Sequence, residues 1–196
     1  MSQQEKLLQL AKLAEESSVL RKAVTEQLGS RILDTASLIS GVLGAGGKLL
    51  LAGNGGSAAE ASHWAAEMVV RLTSERNRQS LPAIALCVDP SVMTAAANDY
   101  GFDNVFARQV EGLGNKGDML VVMSTSGNSP NLVKAAQVAR KNGLITVALL
   151  GGSGGKLGKM VERALVVPHP STQRIQEEHL FIMHILVELV EKDLFA

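Results

Sequence analysis

The chain has one cysteine in 196 residues, so no intrachain disulfide can support it. Cys87 lies in an apolar stretch and reads as a buried thiol in a reducing cytoplasm, with no catalytic role. Neither charge predominates: 19 Lys and Arg are balanced by 19 Asp and Glu. No run of Lys or Arg supplies the basic patch with which nucleic-acid binders neutralise phosphates, so no nucleic-acid partner is expected. No apolar run approaches the roughly 20 residues needed to cross a bilayer, and no membrane partner is expected either. The opening MSQQEKLLQL is too polar and too mixed in charge for a signal peptide, which makes a cytoplasmic location the expectation.

What is present is a globular composition, 46% apolar and 19% charged, with bulk for one real core. No linker, repeat or compositional break divides residues 1–196, so a single domain is expected. Two helical stretches open it: Leu7, Leu10, Ala14, Val24, Leu28 and Ile32, then Leu38, Ile39, Val42 and Leu43, recur at near-helical spacing. Gly44, Gly46 and Gly47 end the pattern. A helical prelude of about 45 residues has little core of its own, so it must pack on the rest of the chain or on another subunit. Short apolar strands then alternate with helices. Strands are expected at 48–52 (KLLLA), 83–88, 119–123 (MLVVM), 145–150 and 164–167. Helices are expected at 58–72, 90–97, 104–113, 130–142 and 172–195, with part of a short one at 157–160. This alternation predicts a doubly wound α/β domain, a five-stranded parallel sheet covered on both faces, with an N-terminal helical extension.

In such sheets ligands bind beyond the carboxyl ends of the strands. The loop STSGNS (124–129) joins a strand to a helix there. Ser129 suits the N-cap and Pro130 the first turn. The hydroxyls of Ser124, Thr125, Ser126 and Ser129, with free N–H groups and the helix dipole, suit a phosphate. No Lys or Arg lies in the loop, so binding would rest on neutral donors. An ordinary capped connection is the competing reading. A second loop, NGGS (54–57), lets a ligand approach the backbone closely. GGSGG (151–155) lacks dinucleotide or P-loop spacing and reads as a flexible turn.

His63 and Glu67, four apart, share one helix face. Gln176 and His184, eight apart on the last helix, sit about 80° apart around its axis. Together they would offer two imidazoles, a carboxylate and an amide oxygen, a set zinc accepts. A solvated His–Glu pair is the competing reading, and spacing alone does not choose between His184 and His179.

The runs AGNGGSAAEASHWAAEMVVRL (52–72), AAANDYGFDNVFARQVEGLG (95–114), STSGNSPNLVKA (124–135) and QRIQEEHLFIMHILVELVE (173–191) resemble the bacterial phosphoheptose isomerases of the sugar isomerase (SIS) domain superfamily. The resemblance runs from about residue 48 onward, while the first 45 residues match only as a helical extension. It implies a flavodoxin-like SIS fold in homotetramers whose active sites lie at subunit interfaces, with the helical extension in the oligomer interface. It also implies conversion of sedoheptulose 7-phosphate to D-glycero-D-manno-heptose 7-phosphate, the first step towards ADP-heptose for lipopolysaccharide. It places one zinc ion per subunit on His63, Glu67, Gln176 and His184, against His179. It places contacts to the phosphorylated heptose on Asn54, Gly55, Gly56, Ser57, Glu67, Asn98, Asp99, Ser124, Thr125, Ser126, Ser129 and Gln176. Aldose–ketose isomerisation moves a proton between adjacent carbons through an enediol, and needs a base, an acid and oxyanion stabilisation. Glu67 is expected as the base, His184 as the acid and zinc as the Lewis acid. Metal-bound groups carry protons poorly, so either substrate displaces a ligand or the metal mainly holds geometry. The chain departs from the family at Trp64, usually Phe, and at Val70, often Gly.

A rival reading comes from a relative in the same superfamily, a scaffold that binds the replication initiator DnaA and is similar in its loops. That relative lacks the acid and the histidine that this chain keeps at Glu67 and His184. An isomerase of another phosphosugar is the second alternative.

Overall fold

The computed structural model describes residues 1–195. The two opening stretches are one helix, α1 (Gln3–Gly44), about 63 Å long at 1.5 Å per residue. Ser2 starts it with a capping box, its hydroxyl accepting from the Glu5 N–H while Glu5 accepts from the Ser2 N–H. Only its later two thirds join the body. Leu20, Val24, Leu28, Ile32, Ile39 and Leu43 are buried, whereas Leu7, Leu8, Leu10, Leu13 and Val19 are exposed. The periodicity thus predicted the helix correctly, but Leu7 and Leu10 find no core within this chain.

Five strands follow: β1 (Leu49–Gly53), β2 (Ala83–Ala85), β3 (Met119–Ser124), β4 (Ile145–Gly151) and β5 (Arg163–Val167). The sheet is all parallel, in the order β2-β1-β3-β4-β5. β2 stops at Ala85, three residues short of the expected end, because the chain turns towards the next helix. Alternation along each strand separates two cores. Leu49, Leu51, Met119, Val121, Val147 and Leu149 face α1, α2 (Gly56–Val69) and α6 (Thr172–Phe195). Leu50, Ala52, Leu120, Val122, Ala148 and Leu150 face α3 (Pro90–Tyr100), α4 (Val105–Leu113) and α5 (Pro130–Lys141). Burial on both faces is why the strands read as unbroken apolar runs. The expected short helix near residue 157 is a single 3₁₀ turn, Leu157–Lys159.

α6 lies along α1 and α2. Arg21 of α1 grips the buried carboxylate of Glu178 through Nε and Nη2, at 3.0–3.2 Å, with its guanidinium over the Phe181 ring. Among the described residues no helix is long and apolar enough to cross a membrane. β1 and β3 are neighbours in the sheet, yet their following helices leave to opposite faces. The crevice between the loops after β1 and β3 is therefore the switch point where an open parallel sheet binds ligands.

Candidate functional site

A pocket occupies that crevice. Its lining is Asn54, Gly56 and Ser57 from the β1–α2 connection, Met123 to Ser126 and Ser129 from β3 and its loop, and Thr172 and Gln176 from the start of α6. No charged side chain contributes, so the donors are neutral, as the sequence indicated.

The loop after β3 is wound on its own hydroxyls. The Gly127 N–H donates to Ser124 Oγ at 3.1 Å, and the Asn128 N–H to Ser126 Oγ at 3.2 Å. Ser129 occupies the N-cap position of α5, but its hydroxyl makes no capping bond and faces Ser124 Oγ at 3.4 Å. Pro130 has no N–H and the Leu132 N–H donates to Asn131 Oδ1 at 3.0 Å, so in the first turn of α5 the Asn131 N–H is the donor left for an anion. The GGSGG turn is packed against this loop, which corrects its reading as flexible. Its Gly155 would place a Cβ 2.5 Å from the Ser126 carbonyl oxygen, and the Leu157 N–H donates to Gly127 O at 3.0 Å.

On the other side, Asn54 exchanges two side-chain hydrogen bonds with Asn131, at 3.0 and 2.8 Å. Asn131 is 2% exposed and ties the β1 loop to α5; the sequence reading missed it, although its place just after Ser129-Pro130 marks the first turn of the helix. A Cβ on Gly56 would fall 2.4 Å from Gln176 Nε2, so a side chain there would displace the α6 amide that lies over the start of α2. Gly55, at φ 56°, forms the N-cap of α2 and is exposed beside the pocket lining. Asn98 and Asp99 do not line the pocket: they are exposed near the end of α3, with Asn98 donating to Asp99 at 2.7 Å.

Two turns along α2 from the pocket, His63 and Glu67 meet His184 of α6. Their ligand atoms all lie within 4.8 Å of one another. His63 Nε2 is 2.9 Å from Glu67 Oε1, and the two imidazoles stand edge to face with centroids 5.1 Å apart. Burial pushes His184 below its ordinary value, His63 pushes the same way, and Glu67 pulls it back. A neutral imidazole is the ligand form, and two imidazoles with one carboxylate are a zinc donor set with a position left for a further ligand. Gln176 sits at the pocket end of α6, about 12 Å of helix axis from His184. Trp64, on the same helix, is fully buried, while Val70 is 64% exposed at the end of α2, so neither departure disturbs the cluster.

His179 is not in the cluster. It is fully buried, its Nε2 lies 3.0 Å from the Leu150 carbonyl oxygen, and Nδ1 has no hydrogen-bond partner. Opposite, at 3.9 Å, lies the equally unpartnered Oε2 of Glu60. Sequence reading missed Glu60 because a carboxylate on a helix defaults to solvent. Burial raises Glu60 to about 7, with Ser57 opposing, and lowers His179 to about 4, with the Leu150 carbonyl opposing. Both are therefore neutral between those values. Glu60 keeps a proton in the folded chain that the unfolded chain loses above 4.5, so its contribution falls as pH rises from 4.5 to about 7. His179 lacks a proton that the unfolded chain holds below 6.5, so its contribution rises from about pH 4 to 6.5. The slopes cancel between pH 4.5 and 6.5. Glu60→Gln removes one of them, so urea unfolding of the metal-free variant should show stability rising by roughly 2 kcal/mol across that window relative to the parent. A parallel profile for parent and variant would mean that Glu60 is ionised.

The SIS domain family model matches residues 13–151. The phosphoheptose isomerase of Chlorobaculum parvum is 52% identical over 176 residues, covering 89% of this chain and 84% of that protein. That of Sulfurimonas denitrificans is 49% identical over 171 residues, 87% of each. Among solved structures, the phosphoheptose isomerase from Neisseria gonorrhoeae superposes with a TM-score of 0.89 at 40% identity, over 97% of this chain and 100% of that one.

Proposed function

The chain belongs to the SIS domain family and, within it, to the phosphoheptose isomerases, and we propose that it interconverts sedoheptulose 7-phosphate and D-glycero-D-manno-heptose 7-phosphate. The observation that carries this reading is the convergence of Glu67 and His184 along α2 from an uncharged, hydroxyl-lined pocket at the sheet's switch point. Ser57, Ser124, Thr125, Ser126 and Ser129 hold the phosphate, with Asn54, Gly55 and Gly56 shaping the other wall. Gln176 lies alongside the sugar chain. Glu67 takes the proton from C1 of the ketose while His184 donates to the C2 oxygen, giving the enediol. Return of the proton to C2, with loss of the O1 proton, gives the aldose. Asn98 and Asp99 take part as contacts made when substrate is bound.

His63, Glu67 and His184 would hold one zinc ion per subunit, and Gln176 would join them as the fourth ligand once its amide leaves its place over Gly56. Zinc would supply Lewis-acid polarisation of the sugar oxygens. The Glu67 oxygen not engaged by His63 is the one available to accept the proton.

The whole chain is read as one domain, with residues 1–45 as an extension set into the interface of a cytoplasmic homotetramer. The exposed leucines of α1 support this, as does an apolar groove between α1 and α6 lined by Ile32, Leu33, Phe181 and Ile185. The product would feed ADP-heptose synthesis for lipopolysaccharide. NMR of sedoheptulose 7-phosphate should show turnover by zinc-loaded protein and loss of it after chelation. Sedimentation should give four times the chain mass. Well-folded protein that never turns the ketose over, under any metal supply, would sink the isomerase reading and leave a sugar-phosphate-binding scaffold.

A further inference from the structure

The segment that leaves α2 buries a cation. Arg78 lies outside any helix or strand, yet its side chain is 0% exposed. Its Nη2 donates to the carbonyl of Glu67 at 2.7 Å, and Nη1 to the carbonyls of Met68 at 2.8 Å and Gln79 at 2.9 Å. Its Nε donates to Glu191 Oε1 of α6 at 2.7 Å. Glu191 is itself buried, and the same oxygen accepts from the Leu72 N–H at 3.3 Å.

The last carbonyls of a helix lack intrahelical partners and carry partial negative charge. α2 has no basic residue in its own last turn. Arg78 reaches back to serve that end, and the peptide it grips is that of Glu67. Its other anchor, Glu191, follows His184 by seven residues, which on a helix returns to within about 20° of the same face. One planar guanidinium is thus bonded both to the turn that carries Glu67 and to the helix that carries His184. A lysine ammonium could not span these acceptors in the same plane.

We propose that Arg78, held by Glu191, is a positioning residue that fixes the spacing of His63 and Glu67 on α2 from His184 on α6. The proposal rests on reading those three as the metal-holding catalytic cluster. Arg78→Lys keeps the charge and loses the fork; Glu191→Gln keeps the shape and loses the charge. Each variant is compared with the parent well below its melting temperature, by titration with Co²⁺ followed in the visible spectrum and by steady-state kinetics. Folded variants should bind cobalt about 10- to 100-fold more weakly, with an altered spectrum. Their kcat should fall roughly tenfold while KM stays within about threefold, because the hydroxyl pocket is held by other contacts. If neither single variant folds, the chain carrying both Arg78→Met and Glu191→Met removes the two charges together and takes the same test. A folded variant with the parent's cobalt affinity and spectrum overturns the proposal. Parent protein that binds cobalt but does not isomerise the heptose phosphate would overturn the functional reading instead, and the cobalt comparison would still decide the role of Arg78.

Discussion

Glu67→Gln should lower kcat by about 10²–10⁴-fold, the contribution of one well-placed acid–base group. The side chain is 19% exposed, and its Oε1 lies 2.9 Å from His63 Nε2. The amide has the same shape and keeps an oxygen for His63, so neither packing nor melting temperature should change appreciably. What it loses is the second oxygen, which must accept a proton from carbon. Solvent deuterium exchange into the ketose at C1 gives the sharper readout, because it reports proton abstraction even when net conversion is slow. The variant should show almost none. Full activity or undiminished exchange would place the base elsewhere. The pocket proposed for the phosphate lies almost three turns of α2 away, so KM should move little.

The second large effect is expected far from any reacting atom. In Gly155→Ala the new methyl would sit 2.5 Å from the Ser126 carbonyl oxygen and 2.7 Å from that of Gly127, at φ +55°. Both obstacles are backbone of the loop after β3, the loop proposed to hold the phosphate, so that loop itself has to move. Left-handed strain of about 1–2 kcal/mol adds to an overpacking cost of about 1–3 kcal/mol. A displacement near 1 Å is enough to cost roughly 10²-fold in kcat/KM. Gly152→Ala is the control: it has φ +58° in the same turn but nothing within 4 Å. It should show the strain in its melting temperature and keep its activity. If the two variants prove equally active, the turn does not brace the loop.

These two sites differ in how readily the sequence showed them. His63 and Glu67 were legible because helical spacing alone puts them on one face. Their meeting with His184 is a tertiary event, decided by how α6 packs on α2, and no local pattern records it. The choice between His179 and His184 had to come from resemblance, since spacing left it open. The structure gives the physical difference, with His179 turned inward onto Leu150 and His184 turned towards His63. The strands were legible because both faces of the sheet are covered. β2 was overextended because Leu86 and Cys87 are as apolar as a strand, although the chain is already turning there. Glu60, Arg78 and Asn131 escaped for one shared reason: their types belong on surfaces, and only a fold can say that they are inside.

The first turns of α1 extend past the body with Leu7, Leu8, Leu10 and Leu13 in water. These turns only propagate a helix already nucleated in the body, a marginal gain in water, so cover over their leucines would add most of their stability. In the proposed homotetramer mass action would govern that cover: dilution would withdraw it, and crowding many copies together would restore it. The amount of protein in the cell, as much as its sequence, would set how much of this helix exists.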